Sequence, residues 1–425
     1  MIKVGSAASS LKLIQLGERL SLDFFIRGLL LIYIAVLPFK NLLVIERNGF
    51  LVLLGLLAIW CVANRRLFYR PIPFELPLAA FVGWIGITIP FATFPDYSLK
   101  EFGKLLQQVI VLYATVYFFS HRSFRTTLFI LMGCLLLVVS MKGLSQFDLD
   151  YPQAVVSFFP AEVWLTTFLV LVIPLSIATG FLGRPLWLRG AGFVTLVISG
   201  LCLISTQSRA GLVSFMAGFW ATACLVRTRS ALILAGMVSL GLVVGFLLTV
   251  GMRVGAVPLE NGGNHVRAPF QTSVHSIIHR FDIWAFSLDE IGKHWLIGIG
   301  YGKDNFLNVY GHEQEMNVAT GHSPVKKAGT HNIFLYYALH VGIPGMLIFC
   351  WLYGSILLRT IQESQASEQW LDRIILSGIG GGLVGFATRL QFDQMFVGSL
   401  AVFFWVLVGF AVLSYPSRRS DSEST

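Results

Sequence analysis

Gly329-Thr330-His331-Asn332-Ile333-Phe334-Leu335-Tyr336-Tyr337 closes a long polar interval and opens an apolar run. The interval begins near Gly251, and from there to Tyr337 it holds seven of the nine histidines. Outside it the chain is a succession of apolar runs, with 55% of its 425 residues hydrophobic and only 12% charged. A soluble domain needs more polar surface than that. A membrane-spanning helix needs roughly 20 mostly apolar residues, because backbone polar groups cannot go unbonded in lipid. The sequence therefore specifies an all-α polytopic membrane protein.

About twelve transmembrane helices are expected, at 22–39, 42–63, 76–94, 105–120, 126–141, 162–182, 190–205, 209–226, 231–250, 331–358, 374–389 and 395–414. An even number puts both termini on one side. Basic residues mark that side as cytoplasmic: Arg65, Arg66, Arg70, Arg122, Arg125, Arg184, Arg189, Arg227, Arg229, Arg359 and Arg373 all fall in the loops it assigns there. The net charge of +9 is thus a matter of topology, and no nucleic acid is needed to explain it. The chain divides into spans 1–9 (1–250), a large outside loop with interfacial helices (251–330), and spans 10–12 with a cytoplasmic tail (331–425).

All five cysteines lie in apolar runs without zinc-ligand spacing, and no disulfide is implied. The first twenty residues lack a signal-peptide cleavage pattern, and Lys12–Leu20 reads as a short surface helix or a frayed tail. His275 and His279 have helical spacing but no accompanying glutamate in a zincin pattern, so no metal is expected.

The outside loops carry the candidate chemistry. Residues 251–330 contain seven basic and seven acidic residues, so an anion site there depends on particular arginines. Arg209, in the polar join Ser205-Thr206-Gln207-Ser208-Arg209-Ala210-Gly211, breaks the charge rule. It is either a snorkelling side chain or a bidentate phosphate contact. Arg280 opens a helix expected over His279–Ile291, with Phe281, Trp284, Leu288 and Ile291 on one face suited to the membrane–water boundary. It either pairs with Asp282 or joins Arg209 on a phosphate.

Gly298-Ile299-Gly300-Tyr301-Gly302 reads as a tight turn, since no strand precedes it. Thr330 is the expected N-cap of the tenth span, which places His331 in its first turn, as a base or a structural histidine. Asn332 either orients a ligand or satisfies backbone groups. Arg389 and Asp393 either pair with each other, or offer a further phosphate contact and a carboxylate that orients His331 or the acceptor.

Taken together, Ser208-Arg209-Ala210-Gly211, Arg280 with Trp284, the glycine turn, His331-Asn332 and Gly342-Ile343-Pro344-Gly345 resemble the O-antigen ligase and polymerase superfamily. Length and span count look most like its ligase branch. The resemblance implies a GT-C-like fold in a bacterial inner membrane and cofactor-free, metal-independent glycan transfer. The donor is a glycan on undecaprenyl pyrophosphate, and the acceptor is a sugar hydroxyl of lipid A–core, both presented among membrane lipids. It also implies that Arg209 and Arg280 hold the pyrophosphate while His331 acts as general base. Asn332, Trp284, Arg389 and Asp393 complete the substrate site on this reading. A polymerase joining lipid-linked repeat units is the nearest alternative. A transporter, which predicts broken helices or ionisable groups at mid-membrane, is the alternative from another class.

Overall fold

The computed structural model describes residues 22–148, 153–255, 271–311 and 329–416, with the side chains of 243–255 and 271–277 outside that description. The surface helix expected over Lys12–Leu20, most of the polar tail and the side chain of His275 therefore lie outside the described residues. All regular structure among the described residues is helical. The order is α1 (22–36), α2 (Leu43–Asn64), α3 (Glu75–Thr88), α4 (Pro95–Phe118), α5 (Arg122–Leu144), α6 (Glu162–Leu182) and α7 (Leu186–Ser205). There follow α8 (Arg209–Val226), α9 (Arg229–Gly255), α10 (Gln271–Lys293), α11 (Asn305–Tyr310), α12 (Ile333–Ala366), α13 (Trp370–Arg389) and α14 (Gly398–Leu413).

Each expected span falls on one of these helices, and among the described residues seven helical runs are long and apolar enough to cross a membrane. They include α5 to α8, α12, α13 and the run Lys40–Asn64 that contains α2. The chain is an all-α polytopic membrane protein. Among the boundaries that differ from expectation, two are helix starts and one is the end of α12, which runs to Ala366 rather than 358. The stretch read as a loop at Pro95–Lys104 is the start of α4, where Pro95 at the first position and Asp96 in the first turn both favour helix. The interfacial helix starts eight residues earlier than expected, at Gln271 rather than His279.

α6, α13 and α14 form the buried centre, while α2 and α7 present most of their apolar side chains outward. Lipid is as apolar as leucine, so helix association in a membrane depends on close packing. α13 supplies it with Gly378, Gly381, Gly382 and Gly385, whose Cα atoms lie against Leu175, Thr222, Leu171 and Ser214 of α6 and α8. A side chain at any of these positions would push the neighbouring helices apart.

Hydrogen bonds between connections sort the bundle into two ends. At one end Lys40 N donates to Phe158 O (3.1 Å), Val155 N to Ser205 O (3.2 Å), Thr93 N to Ile299 O (3.0 Å) and Ile333 N to Leu390 O (3.0 Å). At the other, Arg125 Nη1 donates to Asp372 Oδ1 and Leu413 O, each at 3.0 Å, and Arg373 Nη2 donates to Val226 O at 3.2 Å. These are the two groups of loops that the charge pattern separates.

Candidate active site

Two helix starts and one short loop bring the candidate residues together at the end opposite the basic loops. Asn332, not Thr330, caps α12: its Oδ1 accepts from Phe334 N (2.9 Å) and Leu335 N (3.2 Å), while its Nδ2 donates to Gln391 O (3.3 Å). The correction has a physical cause. Asn332 has extended backbone, and its short amide reaches the exposed N–H groups of the first turn. Thr330 Oγ1 is engaged with Asn332 O and Gln394 Oε1, each at 3.1 Å.

His331 therefore sits just before the helix instead of in its first turn, with a backbone φ of +46°. A non-glycine residue in this region costs on the order of 1–3 kcal/mol and persists only where its surroundings impose it. What this conformation accompanies is a hydrogen bond from the ring: His331 Nδ1 lies 2.9 Å from Asp393 Oδ1. The other carboxylate oxygen, Oδ2, accepts from Arg389 Nη2 at 3.3 Å.

Burial alone raises the Asp393 carboxyl's pKa, but the His331 bond and the charges of Arg389 and Arg280 outweigh it and hold the group below the usual carboxylate range. An ionised carboxylate only accepts. His331 must therefore donate from Nδ1, which leaves the lone pair on Nε2. Nε2 makes no hydrogen bond among the described residues, and 32% of the side chain is exposed. The arrangement is an oriented imidazole whose Nε2, among the described residues, has no hydrogen-bond partner.

Arg389 is 1% exposed, and its Nε and Nη1 have no partner among the described residues. Two buried donors thus remain beside Asp393. Arg280 is near enough to act electrostatically on both Arg389 and Asp393. Arg209 is the first residue of α8, where Ser208 Oγ caps the helix by accepting from Gly211 N at 3.1 Å. α8 lies antiparallel to α13: Gly218 packs on Gly381 and Gly385, and Ser214 packs on Gly385. Continuing that seam by one turn puts the Arg209 backbone at the level of Arg389.

Trp284 is one turn along α10 from Arg280. Its ring meets Phe281 edge-on at 5.6 Å, and its buried Nε1 has no partner among the described residues. The apolar stripe expected on α10 divides. Ile283 and Ile291 are buried, and Ile291 joins Ala338 and Leu339 of α12 in a small apolar cluster, while Phe281 and Leu288 are exposed.

The glycine turn does not bind an anion through these amides. α12 breaks at Val341–Gly342, where Gly342 has φ +77° and ψ 167°, and Pro344 lacks an N–H. The break frees carbonyls that would otherwise be buried and unbonded. Ile299 N donates to Leu339 O and Gly300 N to His340 O, each at 2.9 Å, and Trp84 Nε1 donates to Val341 O at 2.8 Å. The turn thus plugs the break, and only glycine fits at 298 and 342, where a Cβ would strike the opposing backbone of His340 or Leu296.

An apolar recess of about 230 Å³ begins beside the cluster, lined by Ile333, Phe334, Tyr353, Ala387, Leu390 and Gln391. Sequence reading missed Gln394, which fixes Thr330, and Glu162, whose charge acts on Arg389. Their signal was only a polar residue at the edge of an apolar run.

Residues 194–350 match the family model described as O-antigen ligase. Over this stretch, rather more than a third of the chain, the protein is similar to the O-antigen ligase family. It contains Arg209, Arg280, His331 and the α12 break, whereas Arg389 and Asp393 lie beyond it and join the site through the fold. No curated protein matches the chain in sequence. The family is one of O-antigen processing, of the ligase or polymerase kind.

Proposed function

We propose that the protein is an inverting, metal-independent glycosyltransferase that moves O-antigen polysaccharide from undecaprenyl pyrophosphate to a sugar hydroxyl of lipid A–core. The observation that carries this reading is His331, bonded through Nδ1 to Asp393 and with no partner at Nε2 among the described residues, on a membrane end lined by arginines. Positive-inside topology makes that end periplasmic in a bacterial inner membrane, with both termini cytoplasmic.

The acceptor oxygen attacks the anomeric carbon as its bond to the pyrophosphate oxygen breaks. His331 Nε2 takes the hydroxyl proton, and the departing electron pair stays on undecaprenyl pyrophosphate. Arg209 and Arg280 hold the pyrophosphate and stabilise its growing charge, with the unpartnered donors of Arg389 behind them. Asp393 positions the imidazole and offsets the charge it acquires. Asn332 fixes His331 by capping the helix that follows, and Trp284 borders the site from α10. The isoprenoid chain lies in the recess along Ile333 and Leu390. Holding two lipid-linked substrates at one depth in a GT-C-like frame turns the reaction into one of orientation.

The α12 break is a feature a transporter would share, but its carbonyls at Leu339 and His340 accept from Ile299 N and Gly300 N, which ties the break to the neighbouring turn.

The test supplies purified protein with undecaprenyl-pyrophosphate glycan and rough lipopolysaccharide in the presence of a chelator. A ladder of glycan on lipid A–core is the expected product. Glycan lengthening on its own carrier would replace the ligase reading with the polymerase one, and no change in either lipid would overturn both.

A further inference from the structure

A second cavity, whose lining shares no residue with the His331 cluster, lies at the same end of the bundle. It measures about 480 Å³ and opens between the start of α2, α4, the 159–164 connection and the start of α14. Its apolar wall includes Leu37, Leu43, Phe50, Phe159 and Val402, and its charged residues are Lys40, Arg47, Lys104 and Glu46. Lys104 is paired with Glu101 at 2.5 Å. Lys40 and Arg47 are exposed and make no ion pair among the described residues. Topology does not account for them, since the charge rule places basic residues at the other end. Two unpaired cations above an apolar wall at a membrane surface fit an anionic headgroup whose chains remain in lipid.

Two segments connect this cavity to the cluster. Asp393 is five residues from Gly398 in the cavity wall, a span of at most about 18 Å of extended chain. Trp164, also in the wall, is two residues from Glu162, whose charge acts on Arg389. The recess at Ile333 and Leu390 adjoins the cluster directly but contains no cation. Two lipid substrates need two seats, and these two differ in charge.

We infer that the cavity at Lys40 and Arg47 seats the acceptor, a phosphorylated glycolipid whose phosphate bonds these two cations while its sugar reaches toward His331. This rests on the transfer reading above for the word acceptor, but not for the binding itself. The donor keeps the arginine cluster and the cation-free recess. The phosphate contacts set acceptor affinity and take no part in the bond that breaks.

The experiment measures lipid retention by the full-length protein in native mass spectrometry, with diphosphorylated lipid A, undecaprenyl phosphate and inorganic phosphate as probes. Lys40→Ala/Arg47→Ala should lower lipid A retention by about tenfold or more, the effect of losing one or two charge-assisted hydrogen bonds. Undecaprenyl phosphate retention should stay as in wild type, and millimolar inorganic phosphate should not displace lipid A. Leu51→Trp, which narrows the cavity without touching its charge, should weaken lipid A in the same direction. In transfer assays the alanine pair should raise the KM for acceptor and not for donor.

Equal lipid A retention by wild type and the alanine pair overturns the inference. So does selective loss of undecaprenyl phosphate, which would make this the donor seat, and so does displacement by free phosphate, which would make it a simple anion site. If wild-type protein binds lipid A here but transfers no glycan, the proposed function fails and the binding site stands.

Discussion

Asp393 is the residue on which the site turns, because its two oxygens answer two different needs. One orients His331, and the other is the hydrogen-bond partner of the buried Arg389. Breaking a buried ion pair by removing one member costs about 3–5 kcal/mol, because the remaining charge is left uncompensated. Asp393→Asn should therefore lower the thermal midpoint in detergent markedly, and Arg389→Met in the same chain should restore most of it without restoring transfer. A double variant as unstable as the single one would show that Arg389 is not the source of the loss.

The pH dependence has a fixed sign. The carboxyl is depressed in the folded protein, so its contribution is complete above the unfolded value of about 4 and is lost as pH falls through the lower native value. Wild type should lose midpoint below about pH 4 more steeply than Asp393→Asn; parallel curves would contradict the assignment. The sequence presented His331, Arg389 and Asp393 as candidates, but the His331–Asp393 bond joins residues 62 positions apart. Residue order alone offered Asp393 to Arg389 or to His331 as alternatives, and the fold joins it to both. That junction comes with the hydrogen bond between Ile333 N and Leu390 O, which draws the two helix ends together.

At the scale of elements, two glycine motifs, one read as a tight turn and the other lying within the tenth span, prove to be one construction. The break in α12 and the turn at Gly298–Gly302 complete each other's hydrogen bonds, tying α10 and its Arg280 to the helix that follows His331. Gly342→Ala would force an alanine into a conformation nearly exclusive to glycine, at a cost of about 1–3 kcal/mol before the clash with the Leu296 carbonyl is added. Its thermal midpoint should fall, and transfer should fall with it, whereas alanine at Gly354, which has open space around it, should leave both unchanged. A Gly342→Ala protein of full stability would show that the plug is dispensable. The helix cap was misassigned in sequence for a related reason. Thr330 and Asn332 are both good caps, and the choice between them depends on Gln394, which engages Thr330 from a distant loop.

For the molecule as a whole, periodicity and charge were enough to locate the helices and divide their connections between two ends. The hydrophobic requirement of a bilayer acts on composition directly, so spans are legible one at a time. What positions the site is the close contact of α8 and α13 through Gly218, Gly381 and Gly385. Glycine-rich stretches do not name their partners, and that contact was not legible. The two ends can be checked in intact cells with cysteines introduced singly at Tyr97, Gln153, Arg66 and Glu368. An impermeant maleimide should label the first two from the periplasm and the last two only after lysis; labelling of Arg66→Cys before lysis would reverse the orientation.

The most direct measurement is single-turnover glycan transfer by His331→Ala, compared with wild type at matched membrane insertion and thermal midpoint. Loss of a positioned general base predicts a fall of about 10²–10⁴-fold, with lipid-linked donor still retained by the protein. Transfer within a few-fold of wild type by a folded, inserted His331→Ala protein would contradict the catalytic role of the His331–Asp393–Arg389 cluster.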